Sequence, residues 1–448
     1  MFALPRAAEP LIGAFSVAFS RPTFQRVLVL LVGAILSLRR RTVTAMLQVA
    51  GPLARGHWSD FHRVLCRAAW SLWPLGKVLA LLIVASLPPD QPIVAPVDDT
   101  AVPHKGKMVW GKGRHHDAVR STHSHMVWLW GHKWVVLALN VPFPFAARPW
   151  ALPVLAALYR PEEQNRAAGR RHKTPIRLAR QLVAVLIHWF PERQFILVGD
   201  GGYASHELAR FCHRHRRHVT LVSRFYPQAN LYDLPASARS PQGGRPRRKG
   251  RKRASPATVV KQSPGRRYTV RWYGGQTRRV ELTSSTGHWY KGGAGLVAVR
   301  WVFVHDVQGT HRDEYLYSTD LTLRPDQIVS RFTGRWSIEV TFQEVRAHLG
   351  FTTPRNWSAK SVQRTAPCLL GLFSLVSLIF ARHISHRRFI AGHSGWYAKR
   401  EATFSDALHT VRRLFWESVL KQTLEHTAVK KLPTRLRVTL LDHLSRAA

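Results

Sequence analysis

Apolar positions change their spacing twice along the chain, and each change predicts a different kind of element. Up to about residue 88 the spacing is helical. Phe24–Leu38 is apolar and runs into Arg39-Arg40-Arg41, where cations suit a helix C-terminus. Ser59 and Asp60 suit the start of a helix carrying Phe61, Val64, Leu65, Ala68 and Ala69. From about residue 91 the runs shorten to strands. Pro92–Asp98 is one, although Pro96 argues against a central position. Met126–Trp130 and Trp134–Val141 are two more, with Gly131-His132 between them as a turn. A helix over Ile176–Phe190, a buried-type strand over Phe195–Val198, a helix over Ser205–Cys212 and a strand over Val219–Phe225 follow. Strands followed by alternating helix and strand predict an α/β fold, a mixed sheet with flanking helices.

Beyond residue 225 the rhythm breaks. Arg245, Arg247, Arg248, Lys249, Arg251, Lys252 and Arg253 crowd one glycine-punctuated stretch that reads as a mobile loop. Tyr268–Tyr273, Leu296–Val304 and Tyr315–Tyr317 are β-like, and after Pro325 the pattern is mostly helical. The expected organisation is a helical region at 1–88 suited to DNA contact and the first part of an α/β core at 89–225. A β-rich basic insertion at 226–310, the rest of the core at 311–385 and a helical C-terminal region at 386–448 complete it.

Charge narrows the partner. The 448 residues hold 67 Lys and Arg against 25 Asp and Glu, a net +42, with 24 His besides. Such a chain suits a polyphosphate, most simply nucleic acid; an anionic membrane surface is the competing partner. No apolar run argues for a membrane span. Val27–Leu38 is too short, and Thr365–Ala381 contains Pro367 and falls just under the usual length, so both read as core helices. The N-terminal residues do not read as a secretory signal. Three widely separated cysteines argue against a disulfide framework and fit a reducing cytoplasm.

With acids this scarce, those at element ends are informative. Asp98-Asp99-Thr100 closes a strand. Asp200 follows the apolar run Phe195–Gly199 and precedes Gly201-Gly202-Tyr203, although alone it also reads as a turn residue. Glu339 falls on a helix continuing from Pro325. Phe332, Arg335, Glu339, Phe342 and Arg346 are spaced +3, +4, +3 and +4 and share one face, beside an apolar stripe of Ile338, Phe342, Val345 and Leu349. By itself this also reads as a solvated Arg–Glu–Arg ladder. Together, two Asp at strand ends and one Glu on a later helix suit two Mg²⁺ ions, with Mn²⁺ a plausible substitute, acting on a DNA or RNA backbone. Neighbours on a strand point to opposite faces, so one of Asp98 and Asp99 is expected to serve as ligand. Lys105, Lys107, Lys112 and Arg114 suit phosphate contact. The pairs His115-His116-Asp117, His123-Ser124-His125 and His213-Arg214-His215 suit zinc, but so many histidines make such pairs expected by chance. Trp272, Trp289 and Trp301 suit either base stacking or strand cores.

These motifs resemble the DDE transposases of bacterial insertion sequences, most closely the group numbered four, within the RNase H-like, retroviral-integrase-like superfamily. Asp98-Asp99-Thr100 stands for its Asp-x-Thr, which favours Asp98 over Asp99, and Asp200-Gly201-Gly202-Tyr203 for its second motif. Phe332, Arg335, Glu339 and Arg346 stand for its Tyr–Arg–Glu–Lys helical signature, with Tyr replaced by Phe and Lys by Arg. The resemblance implies an RNase H-like core and an enzyme that nicks element ends and joins the freed 3′-hydroxyl to target DNA. Asp98, Asp200 and Glu339 would be its catalytic, metal-binding residues. Arg335, Arg346, Lys105, Lys107, Arg247, Arg248, Lys249, Arg251 and Lys252 would contact DNA. The partners implied are double-stranded inverted-repeat ends and target DNA, no membrane, and a second copy in a homodimer, in a bacterial cytoplasm at the nucleoid. The alternative is a catalytically silent or domesticated DNA-binding descendant.

Overall fold

A computed structural model describes residues 4–38, 40–116, 121–122, 124–235, 247–385, 393–394, 397–423 and 433–446. Helices come first: α1 (Glu9–Gly13), α2 (Arg21–Leu36), α3 (Val43–Ala50), α4 (Trp58–Cys66) and α5 (Leu72–Val84). Strands β1 (Ile93–Pro103), β2 (Gly113–His116), β3 (Trp128–Val141) and β4 (Trp150–Tyr159) follow. Next come α6 (Glu162–Ala167), α7 (Pro175–Trp189), β5 (Phe195–Gly199), α8 (His206–Arg214), β6 (Val219–Arg224), β7 (Leu231–Tyr232) and α9 (Pro256–Gln262). Strands β8 (Arg266–Arg271), β9 (Thr277–Lys291), β10 (Gly295–Asp306) and β11 (Glu314–Ser318) lead to α10 (Pro325–Gly334), α11 (Ser337–His348) and α12 (Ala359–Ile384). Last are β12 (His393–Ser394), β13 (Tyr397–Ala398), α13 (Phe404–Thr423) and α14 (Thr434–Arg446).

Eleven of the described strands form one mixed sheet in the order β2-β3-β1-β5-β6-β11-β10-β9-β7, with β4 on β3 and β8 on β9. β1, β5 and β6 are parallel neighbours, and the other pairings are antiparallel. This is the mixed α/β sheet with flanking helices that the pattern predicts. The β-rich stretch after residue 225 continues it, because β10 pairs with β11 and β11 with β6. β5 is apolar throughout and every residue is buried, as a central parallel strand requires. α7 starts where Thr174 accepts the Arg177 N–H and Pro175 takes the first turn, and it buries Leu178, Leu182 and Leu186 at helical spacing.

Several expectations need correction. β1 is central despite Pro96. Its β3 ladder starts only at Val97, so at Pro96 the strand is paired on the β5 side alone. Gly131-His132 is not a turn but the middle of one long β3. Gly131 is required because a Cβ there would lie 2.0 Å from the Val102 carbonyl oxygen of β1. The helix from Pro325 is not continuous. It breaks into α10 and α11 at Arg335-Trp336, whose N–H groups bond three residues back, to Phe332 and Thr333. α4 is capped by His57 rather than Ser59. Trp289 and Trp301 are buried in the sheet core, so they do not stack on bases. The basic run is not free from Arg247 onward. Lys252 bridges to Tyr232, and the Lys249 ammonium lies 4.4 Å from the Tyr232 ring and 4.7 Å from that of Tyr290. Arg39, Asp117, His123 and Arg245 lie outside the described residues.

Two features hold the site's supports in place. Ile328, Val329 and Phe332 of α10 join a buried cluster with Val280, Val302 and Leu316, which seats α10 on the far half of the sheet. α12 is longer than the apolar run suggested, and by length and composition it passes for a membrane span. Here it packs on β4, α4, α5 and α13, with Leu370, Phe373, Val376, Ile379 and Phe380 buried. Its Arg364 donates to the carbonyls of Val64, Leu65, Ala68 and Trp70 at the end of α4, tying the helical region to the core.

On the far half of the sheet, Asp306 is buried and takes two 2.7 Å bonds from Arg278, plus backbone N–H groups of Gln308, Thr310 and His311. Burial alone would raise its pKa, but Arg278 and those N–H groups outweigh it and hold the carboxyl well below the usual range. The unfolded chain therefore binds the extra proton. The pair's stability is complete above the ordinary carboxylate range and is lost as pH falls below it. Arg278→Met should remove about 3 kcal/mol at neutral pH and flatten the acid side of the stability profile. Urea melts between pH 3 and 7 would show this, and an unchanged profile would contradict it.

Candidate active site

Parallel pairing sets the first two acids level. Val97 of β1 pairs with Gly199 of β5, so Asp98 follows on β1 where Asp200 leaves β5. This is the carboxyl edge of the parallel strands, where open α/β sheets bind ligands. Asp200 Oδ1 accepts the Gly202 N–H at 2.9 Å, and its carbonyl accepts the Ser223 hydroxyl at 2.9 Å. The turn role is therefore real and coexists with the site. Gly199 is needed because a Cβ there would sit 2.6 Å from Cβ of Tyr203. The Tyr203 ring thus folds back over β5. Its hydroxyl is fully buried with no hydrogen-bond partner among the described residues; burial and then the charges of Asp99, Asp98 and Asp200 push its pKa well up.

The third acid arrives through the α10–α11 break. The tight turn at Gly334-Arg335-Trp336 aims the Arg335 side chain at the sheet. Its Nη1 donates to Asp98 Oδ2 at 2.7 Å, and its Nη2 donates to Glu339 Oε1 at 2.6 Å. The Arg335 and Asp98 side chains are nearly buried, at 9% and 14% exposed, and Glu339 is at 32%. Phe332 lies beneath the guanidinium at 5.9 Å. The solvated Arg–Glu–Arg ladder is therefore corrected: Arg335 joins helix to sheet, and Arg346 donates to the hydroxyl of Thr100. Thr100 and Asp98 share one face of β1, so the last residue of the helical signature is bonded to the Asp-x-Thr motif.

The neighbours Asp98 and Asp99 part company. Asp98 faces Arg335, whereas Asp99 pairs with Lys133 on β3 at 2.9 Å. Burial pushes Asp98 up to about 7; Arg335 pulls against this and the charge of Asp200 adds to it. Burial also raises Asp99, against the pull of Lys133. Burial alone would lower Arg335, but Asp98 and Glu339 outweigh it and hold the guanidinium charged.

Three carboxylates offer the hard oxygen donors that a divalent cation takes. Burial raises Asp98, Arg335 pulls against this, and Asp200 adds to it. The donor chemistry thus fits such an ion. In this geometry Arg335 supplies the positive charge instead, and among the described residues no group of three His, Cys, Asp or Glu is assembled to hold one. His213 and His215 belong to no such group either, while Asp117 and His123 of the other two pairs lie outside the described residues.

Apart from Arg335 and Arg346, the basic candidates flank the acids rather than touch them. Exposed Lys105 and Lys107 follow β1 toward the β2 edge of the sheet. Arg247, Arg248, Lys249, Arg251 and Lys252 lie beside β7 at the opposite edge. Sequence reasoning missed Lys133, though a lone cation inside the apolar run of β3 was a visible signal. It also missed Trp336, exposed beside Arg335 and edge-on to Tyr273 at 5.8 Å. A cavity of about 1420 Å³ lies between the N-terminal helices, β4 and α12, and none of the three acids lines it.

Residues 14–279, more than half of the chain, match the family described as DDE superfamily endonuclease. That stretch contains Asp98 and Asp200, while Glu339 lies beyond it. No curated protein matches the sequence. Among solved structures the chain is similar to that of a piggyBac transposase synaptic complex with hairpin DNA, determined by cryo-EM. The TM-score is 0.40 and the identity 10%, over 98% of this chain and 81% of that one.

Replacing Arg335 tests the bridge. Arg335→Gln leaves Asp98 buried without its cation, and removing one partner of a buried pair costs about 3–5 kcal/mol. In metal-free buffer at pH 8 the denaturation midpoint should fall accordingly, whereas a surface ladder would lose less than about 1 kcal/mol.

Proposed function

The chain belongs to the DDE superfamily endonucleases, and from that premise we propose that it is a DNA transposase. In this reading it cleaves the ends of its own element and joins each 3′-hydroxyl to target DNA by in-line phosphoryl transfer. The observation that carries the proposal is the meeting of Asp98 and Glu339 on one guanidinium, with Asp200 level with Asp98 on the neighbouring parallel strand. The insertion-sequence motifs that these residues occupy favour the group numbered four, a homodimer on paired inverted repeats, and a setting at the bacterial nucleoid.

In this reading Asp98, Asp200 and Glu339 would hold two Mg²⁺ or Mn²⁺ ions. When bound, such ions neutralise charge on the attacking and leaving oxygens of a phosphodiester. The remaining work falls to side chains. Arg335, released from Asp98, has planar donors that suit two phosphate oxygens at once. Arg346 holds Thr100, and through it the strand that carries Asp98. Asp99, neutralised by Lys133, is left out of the ligand set. Lys105 and Lys107 at one edge of the sheet and the Arg247–Lys252 run at the other hold the DNA backbone on either side of the acids.

One observation favours the second reading, a silent DNA-binding descendant: Arg335 already neutralises Asp98 and Glu339. One experiment separates the two. Glu339→Gln keeps size and removes charge. It should abolish end cleavage and strand transfer in Mg²⁺ while duplex binding survives, since removing a negative charge does not weaken attraction to phosphate. Asp98→Asn and Asp200→Asn should behave alike, as members of one unit. Near-normal cleavage by Glu339→Gln would overturn the site, and a wild-type chain inactive in both Mg²⁺ and Mn²⁺ would establish the silent descendant.

A further inference from the structure

β3 continues past the candidate site. On the face that carries Asp98, its partners run Val136 opposite Asp98, Trp134 opposite Thr100 and His132 opposite Val102. The next positions on that face, at two-residue steps, are Trp130 and Trp128. Unlike the residues before them, they are uncovered: Trp130 is 58% and Trp128 45% exposed. β2, the edge strand, sets Arg114 opposite Trp130 and His116 opposite Trp128. Two cations lie on the rings. The Arg114 guanidinium is 4.6 Å from the Trp128 ring, and the Lys112 ammonium is 5.7 Å from that of Trp130. An open cleft lined by Trp130, Lys112, His104 and Lys105 adjoins them.

A core strand does not leave two indoles in water, and a surface made to receive an apolar protein partner does not set cations upon them. Alternating indoles and cations suit a ligand that has both aromatic faces and negative charge. Two tryptophans on one strand face stand about 6.8 Å apart, twice the 3.4 Å rise between stacked bases. Bases within a duplex are already stacked and do not present their faces, whereas unpaired bases do. Six residues of β3 separate Trp130 from Val136, the neighbour of Asp98, which is about 20 Å along the strand. The platform therefore lies on the same strand face as the acids, beyond the buried His132 and Trp134.

We propose that the outer face of β2 and β3 is a stacking platform for unpaired DNA, holding the strand that end cleavage frees. The inference rests on the DNA-processing reading above and names the form of DNA taken at a place separate from the acids. Trp128 and Trp130 supply the ring faces, and Lys112 and Arg114 supply charge to the flanking phosphates.

The test uses the full chain and fluorescence anisotropy, with labelled oligo(dT) and a labelled duplex of equal length at one salt concentration. Trp128→Ala combined with Trp130→Ala should weaken oligo(dT) binding by about 30-fold or more, given stacking contributions of about 1–3 kcal/mol per base. Duplex binding should stay within about twofold, which also reports that the variant is folded. Trp128→Tyr with Trp130→Tyr should recover most of the oligo(dT) affinity, because a ring face is restored. Unchanged oligo(dT) binding, or an equal loss for both DNAs, would overturn the platform. A wild-type chain that cleaves and binds duplex but ignores oligo(dT) would overturn this inference alone, whereas one that binds neither DNA would overturn the DNA-processing reading too.

Discussion

The Arg335 guanidinium, shared between Asp98 and Glu339, is the contact on which the rest of the site depends. It joins positions 237 residues apart in sequence and fixes α11 against β1. A charge group this buried is stable only while paired. The α10–α11 break, the seat of α10 on the far half of the sheet and the Phe332 ring below all serve to present it. One positive group thus serves two of the acids, and burial raises the Asp98 pKa against the pull of Arg335. In the proposed function the same guanidinium exchanges a carboxylate for a phosphate, so the resting state keeps the acids in place.

The net charge of +42 invites the view that every cation faces DNA, and the structure divides them differently. Arg41 and Arg412 are buried at the end of α2, where they donate to the carbonyls of Ala34, Ile35 and Ser37. Burial and the neighbouring Arg412 lower Arg41 to about 9, and burial lowers Arg412 to about 10. Arg364 does the same at the end of α4. These arginines help complete the helix C-termini, and Arg364 and Arg412 bind the N-terminal helices to α12 and α13. Lys105 and Lys107 at one edge of the sheet and the Arg247–Lys252 run at the other are, by contrast, not buried, with the acids between them.

Much of this was legible from residues alone, because local rules and the global fold agreed there. The apolar run before Asp200, the strand before Asp98 and the spacing around Glu339 each named an element. What was not legible depended on partners distant in sequence. Pro96 sits in a central strand because of where β3 begins to pair. Gly131 reads as a turn until the Val102 carbonyl is seen against it. The α10–α11 break carries no proline, and helical spacing on either side hid it. Trp128 and Trp130 have the alternation of a half-buried strand, but nothing in that alternation says which half is buried.

In the proposed function the three carboxylates form one divalent-cation site, with Arg335 as the group that yields. Anomalous diffraction from crystals of the full chain grown with Mn²⁺ and a duplex element end addresses it directly. Anomalous density is expected between Asp98, Asp200 and Glu339, with Arg335 withdrawn from Asp98 toward a phosphate. Density confined to other residues, or none while Arg335 still bridges Asp98 and Glu339, would contradict it.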